Sequence, residues 1–232
     1  MQPTYKIKSL RELPKILKKE PQIKTILFDL GDTLYISNNP GPWQRKRDEE
    51  LTKLINKKNP KINLSLQEYV LITRMILEKM NRERRRTFKE LKMEVSAKKI
   101  LKALCGKLNS SLFKEFIRLY QNYNLAALKK KKDAQPTLRL LAKKGYRLGA
   151  VTNTWHSQTH VEDLLKKFGF RKFLKVVIVS SEIGSFKPNP KIFKKALEEF
   201  KAKPQETIFV GNEMETDIYG AKNVGMKTVL LK

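Results

Sequence analysis

Carboxylate, hydroxyl and amine side chains follow several short apolar runs of this sequence. Asp29, Thr152 and Asn212 each come at or directly after such a run. Lys187 stands in a Gly-Ser-Phe-Lys-Pro segment, and Asp217 comes a few residues after the run that ends at Gly211. One carboxylate can act as a nucleophile, other oxygens can hold a hard cation, and a hydroxyl and an ammonium can neutralise a phosphoryl group. The set therefore predicts metal-assisted phosphoryl transfer.

Five runs predict strands that are buried on both faces, because their successive residues are apolar or β-branched. The runs are 25–29, 146–153, 175–180, 206–211 and 227–231. Amphipathic helical patterns alternate with them, at 136–144, 157–168, 190–200 and 215–224. Alternation of this kind predicts an α/β fold with a parallel sheet, whose sites lie at the carboxyl ends of the strands.

The segment 36–133 interrupts this alternation. It shows no convincing strand and has four helical patterns, near 43–58, 66–86, 87–104 and 111–125. We therefore predict a core domain made of 21–35 and 134–232, with a helical domain inserted after the first strand. Residues 1–20 form an N-terminal extension in this interpretation, with one short amphipathic helix at 10–17.

Four sequence motifs occur in a fixed order along the predicted core. They are Phe-Asp-Leu-Gly-Asp-Thr-Leu at 28–34, Val-Thr-Asn at 151–153, the segment 180–193 around Lys187, and the segment 210–226 around Asn212. This set resembles the haloacid dehalogenase-like (HAD) hydrolase superfamily, over about 21–35 and 134–232. The resemblance implies a Rossmann-like core of parallel strands, and it implies that the helical insert is the cap that closes over the active site.

The resemblance also implies a role for each matching residue. Asp29 would attack phosphorus and become an aspartyl-phosphate. Thr152 and the backbone N–H of Asn153 would hold the phosphoryl oxygens, while Lys187 would neutralise the nucleophile and the transferring group. The implied reaction is the hydrolysis of a phosphate monoester.

Magnesium is the implied cofactor, bound between the first and the fourth motif. Its ligands would be the Asp29 carboxylate, the Gly31 carbonyl oxygen and the side chain of Asn212, with Asp217 as the outer acidic residue. The family usually has aspartate at two of these positions, 31 and 212. Gly31 can still offer its carbonyl oxygen but no proton, and Asn212 is a neutral ligand that binds Mg²⁺ more weakly than a carboxylate does.

An acidic residue directly follows each of the two positions, 31 and 212, at which this sequence lacks the family's aspartate. Asp32 follows Gly31, and Glu213 follows Asn212. They fit either a site whose acidic groups have shifted by one residue and still work, or a site that is losing its activity. The sequence leaves both interpretations open.

The chain carries a large positive charge. Its 232 residues include 50 Lys and Arg against 23 Asp and Glu, a net charge of +27. This charge favours anionic partners, among them phosphorylated metabolites and nucleic acid. Basic residues are denser in 36–135 and include the runs 82–86 and 129–132. Neither run has the interleaved aromatic residues of a nucleic-acid surface, so solvated helix ends are favoured over nucleic-acid binding.

Cysteine and histidine are too scarce for several classes of site. Cys105 is the single cysteine, and His156 and His160 are the two histidines, so a disulfide framework within the chain, a cysteine-rich zinc site and a histidine cage are excluded. We find no apolar stretch of about 18 residues and no signal-peptide pattern. We therefore expect a cytoplasmic protein, as a monomer or a homodimer, with no membrane partner.

The leading hypothesis is a Mg²⁺-dependent phosphatase for a small phosphorylated metabolite. The alternative is a non-catalytic or weakly active module of the same fold that binds RNA or protein, which Gly31, Asn212 and the net charge would favour. A dehalogenase is a weaker third hypothesis, because family dehalogenases usually have a bulkier residue than glycine at position 31.

Overall fold

The structure is a computed structural model, which describes residues 2–37, 40–87 and 89–232. These residues form two compact units. One unit consists of Met1–Ile36 and Lys129–Lys232, and the other consists of Ser37–Leu128. The first unit contains a six-stranded sheet, whereas the second is made almost entirely of helices.

Within the described residues, eight strands and ten α-helices are numbered in chain order. The strands are β1 (Tyr5–Ile7), β2 (Thr25–Phe28), β3 (Tyr35–Ser37), β4 (Leu128–Lys130), β5 (Arg147–Thr152), β6 (Leu174–Val179), β7 (Thr207–Gly211) and β8 (Lys227–Leu231). The helices are α1 (Leu13–Leu17), α2 (Pro40–Lys58), α3 (Leu66–Thr87), α4 (Met93–Cys105), α5 (Ser110–Ala126), α6 (Ala134–Lys143), α7 (Gln158–Lys167), α8 (Ser180–Ile183), α9 (Pro190–Phe200) and α10 (Gly220–Lys222).

The sheet of the first unit is entirely parallel. Its strand order is β1-β8-β7-β2-β5-β6, so β2 lies in the middle between β7 and β5. All four residues of β2 and all five of β7 are buried, as strands covered on both faces must be. These observations confirm the predicted α/β class with a Rossmann-like parallel core.

Helices cover the sheet because each has one apolar face. Helix α9 begins at Pro190 with Asn189 as its N-cap, and its side chains Ile192 and Phe193 are fully buried. They belong to one hydrophobic cluster with Leu27 of β2 and residues of β5, β6 and β7. This packing fixes the strands whose carboxyl ends carry the predicted site residues.

The second unit has a hydrophobic core of its own. Helices α2, α3, α4 and α5 all contribute to it, through buried residues such as Leu51, Tyr69, Ile100 and Phe116. The four helical patterns that the sequence shows are therefore present, although α4 begins at Met93 rather than near residue 87. None of the helices in the described part of the chain is long and apolar enough to cross a membrane.

The N-terminal segment differs from its prediction as an extension. Residues Tyr5–Ile7 form β1, which pairs with β8 at the edge of the sheet, and a short 3₁₀ turn and α1 follow. Strand β2 is therefore the second strand of the six-stranded sheet along the chain, and the short β3 stands between it and the helices of the second unit. A strand of three residues with a lysine in its middle is too short to show a pattern.

Two further elements were absent from the sequence prediction. Strands β3 and β4 contain three residues each and pair with one another in a separate sheet. Residues Met214–Tyr219, predicted as part of an α-helix, instead form a π-helical turn before α10. Both differences lie in short segments, where hydrophobic periodicity carries little information.

Candidate active site

The predicted site residues of the first unit converge at the carboxyl edge of its sheet. Asp29 directly follows β2, and its backbone N–H donates to the carbonyl oxygen of Val210 at 2.8 Å. Thr152 ends the neighbouring strand β5, and Asn212 directly follows β7 on the other side. Parallel strands end at the same edge, so residues far apart in sequence meet there.

Lys187 is the centre of this arrangement. Its Nζ lies 2.6 Å from Oδ1 of Asp29 and 2.7 Å from Oδ1 of Asp217. The exposed fraction is only 1% for Lys187, 7% for Asp29 and 1% for Asp217. A buried ammonium is stable only when opposite charges surround it, and here two carboxylates do so.

Burial and neighbouring charges shift the pKa values of this cluster. Burial raises the pKa of Asp29 to about 6, the nearby Asp217 adds to the rise, and Lys187 opposes it. Burial by itself would lower the pKa of Lys187, but the charges of Asp29 and Asp217 outweigh burial and raise it. Two carboxylates that share one ammonium leave a net negative charge, which suits a bound cation.

Asp217 also fixes the loop that follows β7. Its Oδ2 accepts the backbone N–H groups of Asn212 and Glu213, each at 3.0 Å. A side chain at Gly211 would overlap the Asp217 carboxylate, so any residue larger than glycine here would force that carboxylate to move. Both carboxylate oxygens of Asp217 therefore bind protein donors, Oδ1 to Lys187 and Oδ2 to the loop.

The loops after β2 and β7 are joined by a hydrogen bond. The hydroxyl of Thr33, which is fully buried, donates to Oδ1 of Asn212 at 3.2 Å. The motif by itself assigns no role to Thr33, although its place four residues after Asp29 in the first motif is a signal. This bond brings the amide oxygen of Asn212 to the loop that contains Asp29 and Gly31.

The oxygens at this edge fit a magnesium ion. Among the described residues, no group of three or more His, Cys, Asp or Glu side chains could hold a metal. The set that the family resemblance implies is instead one carboxylate, from Asp29, with the backbone carbonyl oxygen of Gly31 and the side-chain amide oxygen of Asn212. Mg²⁺ commonly binds to one or two carboxylates and keeps several of its waters, so the chemistry of these groups is compatible with Mg²⁺.

The two acidic residues that follow Gly31 and Asn212 in sequence lie on the surface. Asp32 is exposed and has a left-handed backbone, with φ of 54°. Glu213 is also exposed, and its Oε2 accepts the hydroxyl of Thr216 at 2.8 Å. Neither of these side chains is buried with Lys187. Position 31 itself has room for a side chain, because no atom lies within 4 Å of a Cβ added to Gly31.

Thr152 and Asn153 form the start of the loop after β5. Thr152 is buried at the end of the strand. The side chain of Asn153 binds the backbone of Lys187 on both sides, since Oδ1 accepts the N–H at 2.7 Å and Nδ2 donates to the carbonyl at 3.0 Å. The family resemblance implies a role only for the backbone N–H of Asn153, so this contact of its side chain could not be predicted from the motif.

The two histidines lie next to one another beyond this loop. The rings of His156 and His160 stack with centroids 4.3 Å apart, and both residues are buried. Burial lowers the pKa of His156 to about 3, and His160 adds to this effect. Burial also lowers the pKa of His160, although Asp163 opposes it. Both rings are therefore neutral packing groups at pH 7.

The helical unit contains a small polar cavity of about 90 Å³ between α2 and α5. It is lined by Ser37, Trp43, Gln44, Arg47, Tyr123, Asn124, Ala127 and Leu128. Arg47 is held by an ion pair with Asp48 at 2.8 Å and lies over the ring of Tyr120, 4.4 Å from its centroid. The cavity thus presents a fixed guanidinium beside amide and aromatic side chains.

A family model described as haloacid dehalogenase-like hydrolase matches residues 50–231. The chain belongs to the haloacid dehalogenase-like hydrolase family. This match confirms the family resemblance over residues 50–231, and it makes the protein a hydrolase.

Several similar proteins are phosphatases by name. The glyceraldehyde 3-phosphate phosphatase of Methanopyrus kandleri is 31% identical over 210 residues, which cover 90% of this chain and 84% of that protein. The protein of the same name from Methanothermobacter thermautotrophicus is 30% identical over 90% of this chain and 85% of its own length. The pyrophosphatase PpaX of Bacillus mycoides is 36% identical over 53% of this chain and 58% of that protein.

Solved structures share the fold. A HAD phosphatase from Thermococcus onnurineus superposes with a TM-score of 0.64 and 26% identity, covering 90% of this chain and 86% of that one. A 2-haloacid dehalogenase from Pseudomonas syringae gives a TM-score of 0.68 at 21% identity, with coverage of 90% and 86%. At that identity the second structure shows the fold alone.

Proposed function

We propose that this protein is a Mg²⁺-dependent phosphatase that hydrolyses a small phosphorylated metabolite through an aspartyl-phosphate. The observation that carries the proposal is the buried cluster in which Lys187 contacts both Asp29 and Asp217 at the carboxyl edge of the sheet. The relatives that span most of the chain are named as phosphatases, which supports a phosphoryl substrate.

Asp29 is the nucleophile in this proposal. One of its carboxylate oxygens forms a bond to phosphorus while the bond between phosphorus and the substrate alcohol oxygen breaks, and the departing oxygen takes up a proton from solvent water. A water molecule then attacks phosphorus, the bond to Asp29 breaks, and inorganic phosphate leaves. The water gives its surplus proton to solvent, and Asp29 returns to its free carboxylate.

Lys187, Thr152 and the backbone N–H of Asn153 hold the transferring group. The Lys187 ammonium already contacts the Asp29 carboxylate at 2.6 Å, so it can neutralise charge on the nucleophile and on the phosphoryl oxygens. Thr152 supplies a hydroxyl from the end of β5. These groups are fixed before the substrate binds, which is what stabilisation of a transition state requires.

The metal would be held by Asp29, the carbonyl oxygen of Gly31 and the amide oxygen of Asn212. A bound Mg²⁺ supplies positive charge against the negative charge of the phosphoryl oxygens. Asp217, which we predicted among the metal ligands, has both oxygens occupied by Lys187 and by the loop 212–213. We therefore assign Asp217 to holding Lys187 and that loop in place.

The substrate we propose is a short phosphorylated compound, of the class of the glyceraldehyde 3-phosphate in the names of the relatives. We assign its selection to the helical unit, in the role of a cap. The polar cavity with Arg47 is the feature of that unit that could recognise carbonyl and hydroxyl groups.

Phosphate release from a generic aryl phosphate tests the proposal. We expect turnover with Mg²⁺ that disappears in a chelator, and a loss of about 10⁴-fold or more in Asp29→Asn. Asp32→Asn is the matched control, since it removes the same charge from an exposed neighbour, and it should keep turnover within about threefold.

Beryllium fluoride, a mimic of the bound phosphoryl group, provides a second readout. We expect it to bind in the presence of Mg²⁺ to the unmodified protein but not to Asp29→Asn. Turnover that survives in Asp29→Asn, or binding of the mimic by that variant, would exclude Asp29 as the nucleophile. A protein with neither turnover nor binding would favour the alternative of a non-catalytic module.

A further inference from the structure

The side-chain amide of Asn153 makes two hydrogen bonds to the backbone of Lys187. Its amide oxygen accepts the Lys187 N–H at 2.7 Å, and its amide nitrogen donates to the Lys187 carbonyl at 3.0 Å. The amide can make both bonds in only one orientation, because the reversed amide would place donor against donor and acceptor against acceptor. The contact joins two segments that are 34 residues apart.

Two serines, Ser180 and Ser181, make further hydrogen bonds between the loop after β5 and the segment that leads to Lys187. Ser180 accepts the N–H of Thr154 at 2.8 Å, and its hydroxyl lies 3.0 Å from the Thr154 carbonyl. The hydroxyl of Ser181 donates to the carbonyl of His156 at 2.6 Å. Both serines are buried, so these bonds lie away from competing water. The loop 152–156 and the segment 180–187 are thus held together at both ends.

The position of the Lys187 ammonium depends on a backbone that is fixed at residue 187. A lysine side chain has four rotatable carbon–carbon bonds and reaches its target as a flexible point charge. Its Nζ must nevertheless meet the oxygens of Asp29 and Asp217 at 2.6 and 2.7 Å. A fixed backbone at residue 187 reduces the range of positions that the ammonium can take.

We propose that Asn153 is a positioning residue whose side chain acts on the reaction through Lys187. The amide oxygen and one N–H of the amide nitrogen bind the Lys187 backbone, so the described hydrogen bonds of this side chain are directed at residue 187. The backbone N–H of residue 153 keeps its separate role toward the phosphoryl oxygens. This inference rests on the proposed phosphatase function for its kinetic effect, and on the geometry alone for the placement of Lys187.

The variant Asn153→Ala isolates the side chain, because it removes both amide contacts and keeps the backbone N–H. We expect the kcat for an aryl phosphate to fall by about 10- to 100-fold, with KM changed by less than about threefold. Asn189→Ala is the matched control. Asn189 caps α9 in the same region by accepting the N–H of Lys191 at 2.9 Å, so its loss should lower stability and leave kcat unchanged.

A double-mutant cycle distinguishes action through Lys187 from direct contact. Binding of inorganic phosphate, followed by calorimetry with Mg²⁺ present, remains measurable when turnover is lost. We expect Asn153→Ala to weaken phosphate about tenfold in the otherwise unchanged protein and to have no further effect in a Lys187→Met background. Equal weakening in both backgrounds would mean that the amide contacts the anion directly, and the proposal would be wrong.

Chemical labelling tests the geometric part without any need for activity. Lys187 should be protected from an amine-acetylating reagent in the unmodified protein and should be labelled several-fold faster in Asn153→Ala. The exposed Lys191 should react equally in both. Unchanged protection of Lys187, with kcat also unchanged, would reduce Asn153 to a structural residue. Absent turnover together with faster labelling would overturn the phosphatase function and leave the placement of Lys187 by Asn153 supported.

Discussion

At the scale of single residues, the site is defined by one cation that two carboxylates share. Asp29 and Asp217 come from different ends of the chain, yet both lie within 2.7 Å of the Lys187 ammonium. The two carboxylates differ in the number of protein donors that they bind. Asp217 is bound on both oxygens by protein donors, whereas Asp29 stands at the strand end as the nucleophile of our proposal.

Gly31 is the residue whose replacement should add activity. Position 31 has open space for a side chain and no left-handed backbone, so an aspartate there can be accommodated. A carboxylic acid at this point could protonate the departing alcohol, a contribution that is typically about 10²- to 10⁴-fold in other enzymes. We expect Gly31→Asp to raise kcat by about tenfold or more for an alkyl phosphate, measured as phosphate release.

A matched variant separates proton transfer from a change in shape. Gly31→Asn has the same size as Gly31→Asp but no acidic proton, so it should leave kcat near that of the unmodified protein. An aryl phosphate, whose departing group needs less protonation, should gain less than the alkyl phosphate. Equal kinetics for the two variants would show that another group already supplies the proton.

The motifs allowed most of this site to be predicted, but not the contacts that arrange it. Asp29 and Lys187 were identified because each stands at a recognisable motif position. The partner of the Asn153 side chain could not be identified, because only the folded chain brings residue 187 next to residue 153. The same holds for Thr33, whose hydroxyl meets Asn212 from 179 residues away.

At the scale of elements, strand β7 and the π-helical turn after it form one functional piece. The strand ends at Gly211, and the turn Met214–Tyr219 brings the carboxylate of Asp217 back against that glycine. The backbone of the intervening loop is fixed because Asp217 accepts two of its N–H groups. The length of this connection therefore sets where the carboxylate meets Lys187.

Gly211→Ala should disturb this piece. The new Cβ would overlap the Asp217 carboxylate, so the carboxylate must shift away from its place beside Lys187. We expect a loss of about 1–3 kcal/mol in the free energy of unfolding and a fall in kcat. Denaturant unfolding and the aryl phosphate assay measure the two effects.

Gly31→Ala provides the control for Gly211→Ala, since it adds the same methyl group where no atom lies within 4 Å. Its unfolding free energy should stay close to that of the unmodified protein. If both variants lost the same stability, the general cost of replacing glycine would explain the result and the contact with Asp217 would not.

Long, strongly patterned elements were predictable from sequence, and short ones were not. Helix α9 was predicted over its full length because Pro190 begins it and its apolar side chains recur at helical spacing. Strand β1 was missed because three residues cannot establish a period, and its place depends on pairing with β8 at the far end of the chain. Tertiary pairing, rather than local preference, determines such a strand.

At the scale of the whole molecule, the stability of the first unit should depend on pH through the buried histidines. Burial lowers the pKa of His156 to about 3, whereas an exposed histidine in the unfolded chain titrates near 6.5. Between these values the unfolded state binds more protons, so stability is lost as pH falls below about 6.5 and continues to be lost down to about 3.

We expect the free energy of unfolding to fall by about 2 kcal/mol between pH 7 and pH 5 from His156 alone. His160, whose pKa is also lowered, should add to the fall. Urea unfolding at a series of pH values measures this slope, and His156→Gln should make it shallower. An equal slope in the variant would show that other groups cause the acid sensitivity.

The net charge of +27 takes a secondary place once the fold is known. The site itself is a negatively charged cluster around a buried lysine, and its residues Asp29, Lys187 and Asp217 lie outside the basic runs. A general positive field can still concentrate anionic substrates near the protein.

The pairing of β1 with β8 has a consequence for how the protein is made. Tyr5 lies opposite Val229 and Ile7 opposite Leu231, so β1 cannot join the sheet until β8, which is synthesised more than 200 residues later, has been made. Until then β1 has no partner strand. Nascent chains that are stalled before residue 227 should therefore leave residues 5–7 open to proteases, and chains that include β8 should protect them.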